Sequence, residues 1–305
     1  MYMASHTTCS ALPLLLLYLF LIIPPQVLVG ARSLNGRGRQ SGGATNDSLC
    51  ELAVIPQGYK CQEYKVQTED GYILGLQRIP QGRDSDREGK KRQPVLLQHG
   101  ILVDGMSWVL NSPEESLAFI LADNGFDVWI ANTRGTTWSP THISLNITDQ
   151  GTLIALSSLS QGKLVDKMKS AALLSPIAYL SHITTPLGNL AARAFVADVL
   201  VRDGVITKYN YGSKTANMKH YNQVNPPPYD MSNIPKDFPL FLSYGGQDEL
   251  SDVEDVLQLL DDLKLHDVEK LTVQYVEEYA HADFILGINA KAIVYGSIIS
   301  FFNTH

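Results

Sequence analysis

The sequence predicts an α/β fold built around a mostly parallel β-sheet. Short apolar segments of the kind that form buried strands alternate along the chain with helix-length segments, which is typical of βαβ units. The chain has 305 residues, of which 45% are hydrophobic and 18% are charged, so it can bury a large core. This length favours one large domain or two small ones.

The composition argues against several classes of function. With 24 Lys and Arg against 31 Asp and Glu, the net charge is -7, and no basic stripe is present, so nucleic acid is not expected as a main partner. Three cysteines are too few for a disulfide scaffold and unsuited to a four-ligand zinc site. No metal or organic cofactor is implied.

The first residues are typical of a secretory signal peptide. The apolar run 11–23 is too short to span a bilayer, which takes about 20 apolar residues. Two prolines end this run, and Val29–Ala31 offers small residues for cleavage. We therefore expect residues 1–31 to be removed, with an uncleaved membrane anchor as the alternative. Residues 32–48 are rich in Gly, Ser, Arg and Asn and indicate a flexible leader, followed by one domain over 49–305.

Secretion gives meaning to two cysteines and two asparagines. In an oxidising compartment Cys50 and Cys61 can close a short loop as a disulfide, although two free thiols are the alternative. Asn46 in Asn-Asp-Ser and Asn146 in Asn-Ile-Thr are predicted glycosylation sites.

The strands and helices follow from apolar periodicity and from turn residues. Two alternating segments flank Glu69–Gly71 and predict a β-hairpin. Glycines at 125 and 162 end two of the predicted helices. Further strands are predicted at 94–98, at 126–130, within 169–180, at 238–244 and at 271–276. Helices are predicted at 116–124, at 152–160, at 253–265 and over most of 285–302.

Polar residues follow three of the predicted strands at the point where ligands bind in parallel sheets. His99 and Gly100 follow the first, and a glycine there lets backbone N–H groups face a developing oxyanion. Asp248 and His281 follow two strands that a helix joins, so a right-handed crossover places both residues at one edge of the sheet. A carboxylate orients an imidazole base in this arrangement.

Each of these residues also has a purely structural interpretation. Asp248 could cap the helix that begins near Ser251. His281 could be a hydrogen-bonded histidine at a strand end, and His99 could support a tight turn. The spacing by itself leaves these alternatives open.

Long segments of the sequence resemble the acid lipase family of α/β-hydrolases, which includes gastric and lysosomal acid lipases and their plant relatives. These segments read QHGILVDGMSWVLNSPEESLAFILADNGFDVWIANTRG, YGGQDELSDVEDV and AHADFILGINA. Residues 49–80 resemble the family's N-terminal lipase region, including the cysteine pair of plant members. The resemblance covers most of 49–139 and 151–305. It implies Asp248 and His281 as charge-relay acid and base, and Ile101 as a backbone donor of the oxyanion hole.

The sequence departs from the family where the nucleophile should lie. The family serine sits in a G-x-S-x-G turn between a strand and a helix, and no G-x-S-x-G occurs in the chain. Aligned on the segment that begins at Gly151, Asp149 occupies the position of the serine. An aspartate nucleophile would need the same turn, but Ile147 replaces its first glycine, where a β-branched side chain is costly.

Two blocks of the family pattern are shortened. Between Gly100 and Gly151 we find no second buried strand that could lead into the nucleophile turn. Near 195–203 most of the family's cap is missing. We therefore predict an α/β-hydrolase-like sheet that lacks one central strand and most of the cap.

These observations lead to competing functions. The resemblance implies a secreted lipase-like carboxylic ester hydrolase for triacylglycerol or sterol ester, which we expect to be inactive because the serine is absent. The alternative is a non-catalytic lipid-binding relative or a truncated gene product, and a peptidase or thioesterase on this fold is a third candidate. The expected partner is a lipid ester or a lipid surface. The expected location is extracellular, with lysosome or vacuole as the alternative. The oligomeric state and the acyl specificity are not predicted.

Overall fold

The computed structural model describes residues 48–83, 91–100, 103–142, 154–163, 165–182, 201–202, 205–208 and 210–305. The predicted signal peptide and nearly all of the leader lie outside these residues, as does most of the segment 195–203. Four residues with predicted roles also lie outside them, namely Asn46, Ile101, Asn146 and Asp149.

The described strands form two sheets and one short ribbon. In chain order they are β1 (Gln62–Gln67), β2 (Tyr72–Ile79), β3 (Pro94–Gln98), β4 (Asp127–Ala131), β5 (Thr141–His142), β6 (Ala171–Leu174), β7 (Val201–Arg202), β8 (Val205–Ile206), β9 (Leu240–Gly245) and β10 (Leu271–Val276). The first sheet has the order β1-β2-β4-β3, with β5 also paired to β2, and the second has the order β10-β9-β6. β7 and β8 pair with each other.

The helices lie between these strands. The α-helices are α1 (Leu117–Asp123), α2 (Ile154–Ser160), α3 (Lys214–Tyr221), α4 (Val253–Asp262), α5 (Asp283–Leu286) and α6 (Gly296–Thr304). Shorter helical turns are Cys50–Val54, Ile55–Gln57, Gly105–Trp108, Met231–Asn233 and Lys291–Tyr295. None of the helices in the described part of the chain is long and apolar enough to cross a membrane.

The α/β class predicted from the sequence is confirmed. β3 and β4 are parallel, and so are β6, β9 and β10, as expected for strands joined through helices. The predicted hairpin is also present, because Gly71 adopts a φ of 95° in the turn between β1 and β2. A turn this short reverses the chain, so the N-terminal strands add an antiparallel edge to the parallel strands.

The prediction of one helix over most of 285–302 was wrong in its first part. After α5 the chain leaves the helical conformation at Gly287, whose ψ is 127°. A Cβ at this position would lie 2.5 Å from the carbonyl oxygen of Asp283. The side chain of Asn289 accepts a hydrogen bond of 2.8 Å from the hydroxyl of Tyr279, so a tertiary contact holds the break. Helical structure resumes at Lys291.

The two sheets share one core although no described strand joins them. In the described part of the chain, β3 has β4 as its strand neighbour and β6 has β9. Val95 and Leu97 of β3 belong to the same buried cluster as Phe241 of β9, and Leu174 of β6 packs against it. Leu96 of β3 is 59% exposed. This arrangement is consistent with an α/β-hydrolase sheet that lacks a central strand.

A second core covers the other face of the second sheet. Leu240 and Leu242 of β9 pack there with Leu159 of α2 and Leu259 of α4. β9 is buried along its whole length because it has helices on both faces. Its carboxyl end is therefore a rigid support for the residues that follow.

A disulfide and an aromatic stack hold the N-terminal region against the domain. Cys50 and Cys61 are joined, with their Cα atoms 5.5 Å apart. Within the loop that they close, the ring of Tyr59 stacks on Phe119 of α1 at a centroid distance of 4.4 Å. The Tyr59 hydroxyl donates a hydrogen bond of 2.7 Å to Asp123. The loop is therefore fastened to the first helix of the core.

Candidate active site

The structure brings Asp248 and His281 into direct contact. Nδ1 of His281 lies 2.9 Å from Oδ2 of Asp248. The Asp248 side chain is fully buried, whereas that of His281 is 38% exposed. The imidazole is therefore held through one nitrogen from inside the protein, which leaves Nε2 as the ring nitrogen that a substrate or a nucleophile would meet.

Two glycines, the last residue of β9 and the one after it, allow Asp248 and His281 to meet. The backbone N–H of Gln247 donates 3.0 Å to the carbonyl of Tyr279, in the loop that leaves β10. A Cβ at Gly245 would overlap the same Tyr279 carbonyl, and one at Gly246 would overlap the Glu277 carbonyl. Glycine is thus required for this loop to lie across the end of β9, and His281 follows Tyr279 by two residues.

Asp248 also organises the turn that leads into α4. Its Oδ1 accepts hydrogen bonds from the backbone N–H groups of Leu250, at 2.9 Å, and Ser251, at 2.8 Å. The cap of α4 is a different residue, Asp252, whose side chain accepts a hydrogen bond from the N–H of Glu254. Asp248 therefore does not cap the helix itself, and one carboxylate oxygen serves the turn while the other serves His281.

These contacts decide the charge of Asp248. Burial raises the pKa of this carboxyl. The hydrogen bond and charge of His281, together with the N–H groups of Ser251 and Leu250, lower the pKa by more than burial raises it. The net pKa of Asp248 lies below its ordinary value. Asp248 is therefore an anion at neutral pH, as required of a group that orients an imidazole and stabilises its protonated form.

His99 has the structural role that the sequence left open. It is 3% exposed, and its Nε2 accepts the backbone N–H of Thr133 at 3.1 Å. Its Nδ1 therefore carries the proton and donates to the carbonyl of Gly100 at 2.8 Å. Burial lowers the pKa of His99, which favours the neutral ring. This histidine ties the end of β3 to the loop after β4. The predicted oxyanion donor Ile101 lies outside the described residues.

Ser175 is a strand-end serine that the sequence analysis did not single out. It follows β6, has a φ of 48°, and its buried hydroxyl has no hydrogen-bond partner in the described part of the chain. The next residue is Pro176, which has no N–H to serve as an oxyanion donor. Ser175 therefore shares a strained backbone with a nucleophile turn but not its oxyanion donor. The signal in the sequence was a serine between a strand and a proline.

Three exposed apolar residues lie on or beside the segment that follows His281. Leu286 and Ile288 are 45% and 84% exposed, and Leu110 is 59% exposed. The side chain of Asn111 donates a hydrogen bond of 3.1 Å to the carbonyl of Ile285, so Leu110 is held beside the end of α5. We call Leu110, Leu286 and Ile288 the apolar rim.

Among the described residues no cluster of His, Cys, Asp or Glu is arranged to hold a metal ion.

The chain is similar in sequence to known lipases. Residues 52–112 match a family model described as the partial alpha/beta-hydrolase lipase region. The chain is 40% identical to triacylglycerol lipase 2 of Arabidopsis thaliana, over 83% of this chain and 87% of that protein. It is 29% identical to gastric triacylglycerol lipase of Rattus norvegicus, over 89% and 95% of the two chains. It is 27% identical to human lysosomal acid lipase/cholesteryl ester hydrolase, over 84% and 90%.

The alignment with the Arabidopsis protein extends over 364 residues. This is more than the length of the present chain, so the alignment contains positions at which the relative has residues and this chain has none.

Solved structures agree on the fold. An esterase of Pyrococcus furiosus matches with a TM-score of 0.53 at 14% identity, covering 90% of this chain and 98% of the esterase. The acylaminoacyl peptidase of Pyrococcus horikoshii matches with a TM-score of 0.52 at 15% identity, covering 88% of this chain and 45% of the peptidase. At this identity the likeness concerns the fold alone.

We expect Asp248→Asn to lower the free energy of unfolding at neutral pH and to make that free energy fall less steeply as the pH is lowered. Because the pKa of Asp248 is lower in the folded state, its contribution is present above the unfolded pKa, about 3.9, and is lost as the pH falls through the folded pKa. Unfolding in guanidinium at several pH values would measure a loss of about 1–3 kcal/mol at pH 7 that shrinks in acid. Asp261→Asn, at an exposed aspartate of α4, is the control. If the free energy of unfolding of Asp248→Asn fell with acid as steeply as that of the unmodified chain, Asp248 would not have a lowered pKa in the folded state.

Proposed function

Because this chain belongs to the acid lipase family of α/β-hydrolases, we propose that it is a secreted lipase-like protein for carboxylic esters of lipids that has kept the acid–base pair and lost the serine nucleophile. The observation that carries the proposal is the 2.9 Å contact between His281 and the buried Asp248. The names of the relatives favour triacylglycerol or sterol ester as the substrate class.

The chemistry of this pair is proton transfer. In a serine hydrolase, the serine oxygen attacks the ester carbonyl while Nε2 of the histidine takes its proton, and the carboxylate on Nδ1 holds the ring and stabilises its charge. Asp248 and His281 are arranged for the last two of these roles. Ile101, after His99-Gly100, is the proposed backbone donor to the oxyanion.

The missing step is the attack itself. With no G-x-S-x-G in the chain, an acyl-enzyme on a nucleophile-turn serine cannot form, and Asp149 stands where that serine would align. Loss of the nucleophile in a serine hydrolase costs on the order of 10⁶ in kcat. Water is then the remaining nucleophile, and His281 can deprotonate it as a general base. The proposed protein therefore binds lipid esters and hydrolyses them very slowly.

We expect emulsified triacylglycerol and cholesteryl ester to be hydrolysed on the order of 10⁶ times more slowly than by a serine lipase. The residual rate should fall further in His281→Ala and stay unchanged in His220→Ala, an exposed histidine of α3. A fluorophosphonate probe should leave the chain unlabelled. Serine labelling that His281→Ala abolishes would overturn the proposed loss of the nucleophile.

A second candidate function, attachment to a lipid surface without turnover, is favoured by the apolar rim. Leu110, Leu286 and Ile288 expose apolar side chains beside the loop that carries His281. Exposed apolar side chains grouped at a site are typical of binding surfaces. This function needs no nucleophile.

We expect Ile288→Asp to weaken binding to a triacylglycerol emulsion, because it places a charge in the interface. Val268→Asp is the matched control, since Val268 is 91% exposed but precedes β10, at the end of the sheet opposite the site. Co-sedimentation with the emulsion would compare the two variants. Equal binding of both, whether retained or lost, would contradict a role for the apolar rim.

Secretion is part of the same proposal. The apolar run 11–23 and the small residues before position 32 support removal of a signal peptide, and an exported chain could carry sugars on Asn46 and Asn146. N-terminal sequencing of the chain recovered from the culture medium of expressing cells should begin at residue 32. Retention of the chain in membranes with residue 1 intact would support the anchor instead.

A further inference from the structure

A second Asp–His pair involves α4, the helix that follows the turn carrying Asp248. Nδ1 of His182 is 2.8 Å from Oδ1 of Asp255, on α4. The Asp255 side chain is 2% exposed and that of His182 is 53% exposed. Among the described residues, His182 lies in the segment that follows β6, after Ser175 and Pro176.

This pair is built like Asp248 and His281. The carboxylate of Asp255 accepts two backbone N–H groups, from Ser181 at 3.2 Å and from His182 at 3.1 Å, in addition to the imidazole. In both pairs a buried aspartate is fixed by two N–H groups and holds a partly exposed histidine through Nδ1. The second pair differs in that its histidine lies on the chain that leaves β6, not on the loop after β10.

Further hydrogen bonds join the same two segments. The Ser251 hydroxyl donates 2.7 Å to the carbonyl of Pro176, and the Tyr179 hydroxyl bonds to Asp262 at the end of α4. Residues 176–182 are thus fastened to α4 and to the turn before it at three points. Ser251 also donates its backbone N–H to Asp248, so the fastening reaches the active-site carboxylate directly.

We propose that His182 and Asp255 form a clamp that positions the turn carrying Asp248 and that tightens in acid. The clamp is defined as these two side chains together with the N–H groups of Ser181 and His182. Its role is indirect: it holds residues 176–182 in place, which keeps the acceptor of Ser251 in position, and Ser251 in turn helps to hold Asp248. The proposal does not depend on ester turnover.

The charges around His182 set the direction of the pH response. The hydrogen bond to Asp255 raises the pKa of His182 above its ordinary value, against the opposing effect of burial. The negative charges of Asp255, Asp252 and Glu254, which face the ring from α4 and its cap, raise the pKa further. The added stability is therefore complete below the unfolded pKa, about 6.5, and is lost as the pH rises through the folded pKa.

The test uses His182→Gln, which keeps a hydrogen-bond donor but cannot become charged. We expect the melting temperature of the full chain to fall by about 1–2 °C at pH 5 and to be unchanged at pH 8.5. His220→Gln, whose ring stacks on Tyr211 instead of pairing with a carboxylate, should show the same difference at both pH values. Asp255→Asn should lose the same pH dependence, with a lower melting temperature throughout because its amide is a weaker acceptor.

Amide hydrogen exchange tests the positioning role, which thermal unfolding does not isolate. After correction for intrinsic rates, the N–H groups of Leu250 and Ser251 should be better protected at pH 5 than at pH 8.5 in the unmodified chain. His182→Gln should remove this difference. A pH-independent loss of melting temperature in His182→Gln would overturn the acid-strengthened clamp. Unchanged protection of Leu250 and Ser251 would overturn its effect on Asp248.

Discussion

The close backbone contact between the end of β9 and the loop that leaves β10 is the constraint on which the site depends. Gly245 and Gly246 have no side chains, so the carbonyls of Tyr279 and Glu277 can lie against them. This contact carries the loop of β10 back over β9 and places His281 on Asp248, 33 residues earlier in the chain. In the parallel register Gly245 lies opposite Val276, so the loops that follow β9 and β10 start at the same level of the sheet edge. Because β9 and β10 are parallel, the chain must return from the end of β9 to the start of β10, and α4 lies in this connection.

Two buried carboxylates lie close together in the sequence, Asp248 in the turn before α4 and Asp255 in its first turn. Asp248 and Asp255 are both buried, and each is held by two backbone N–H groups and one imidazole. A buried carboxylate is tolerated when its hydrogen bonds are complete, and removing one partner costs more than the pair contributes.

The two described sheets present a physical cost that the core offsets. Backbone groups at the open edge of a strand lack partners, and the edges of β3 and β6 have no described strand between them. Leu96 of β3 is exposed, although a central strand of an α/β sheet is normally covered on both faces. The core compensates because side chains from β3, β9 and α1 pack in one cluster. The alignment with the Arabidopsis relative contains positions at which this chain has no residues, which is consistent with a missing strand.

Local pattern was enough to locate most elements and to predict that Asp248 and His281 lie at one edge of the sheet, whereas the family resemblance implied their roles as acid and base. The strands at 94–98 and 271–276, the helix before Gly125 and the hairpin around Gly71 follow from periodicity and turn residues, which act over a few neighbours. The absence of a G-x-S-x-G motif is likewise a property of the sequence. The break at Gly287 was not predictable, because a hydrogen bond from Tyr279 holds it. The structural role of His99 and the second pair, His182 with Asp255, depended on residues far apart in the chain. Only the tertiary structure decided these features, because distant backbone and side-chain groups must be brought within hydrogen-bond distance before they can act on one another.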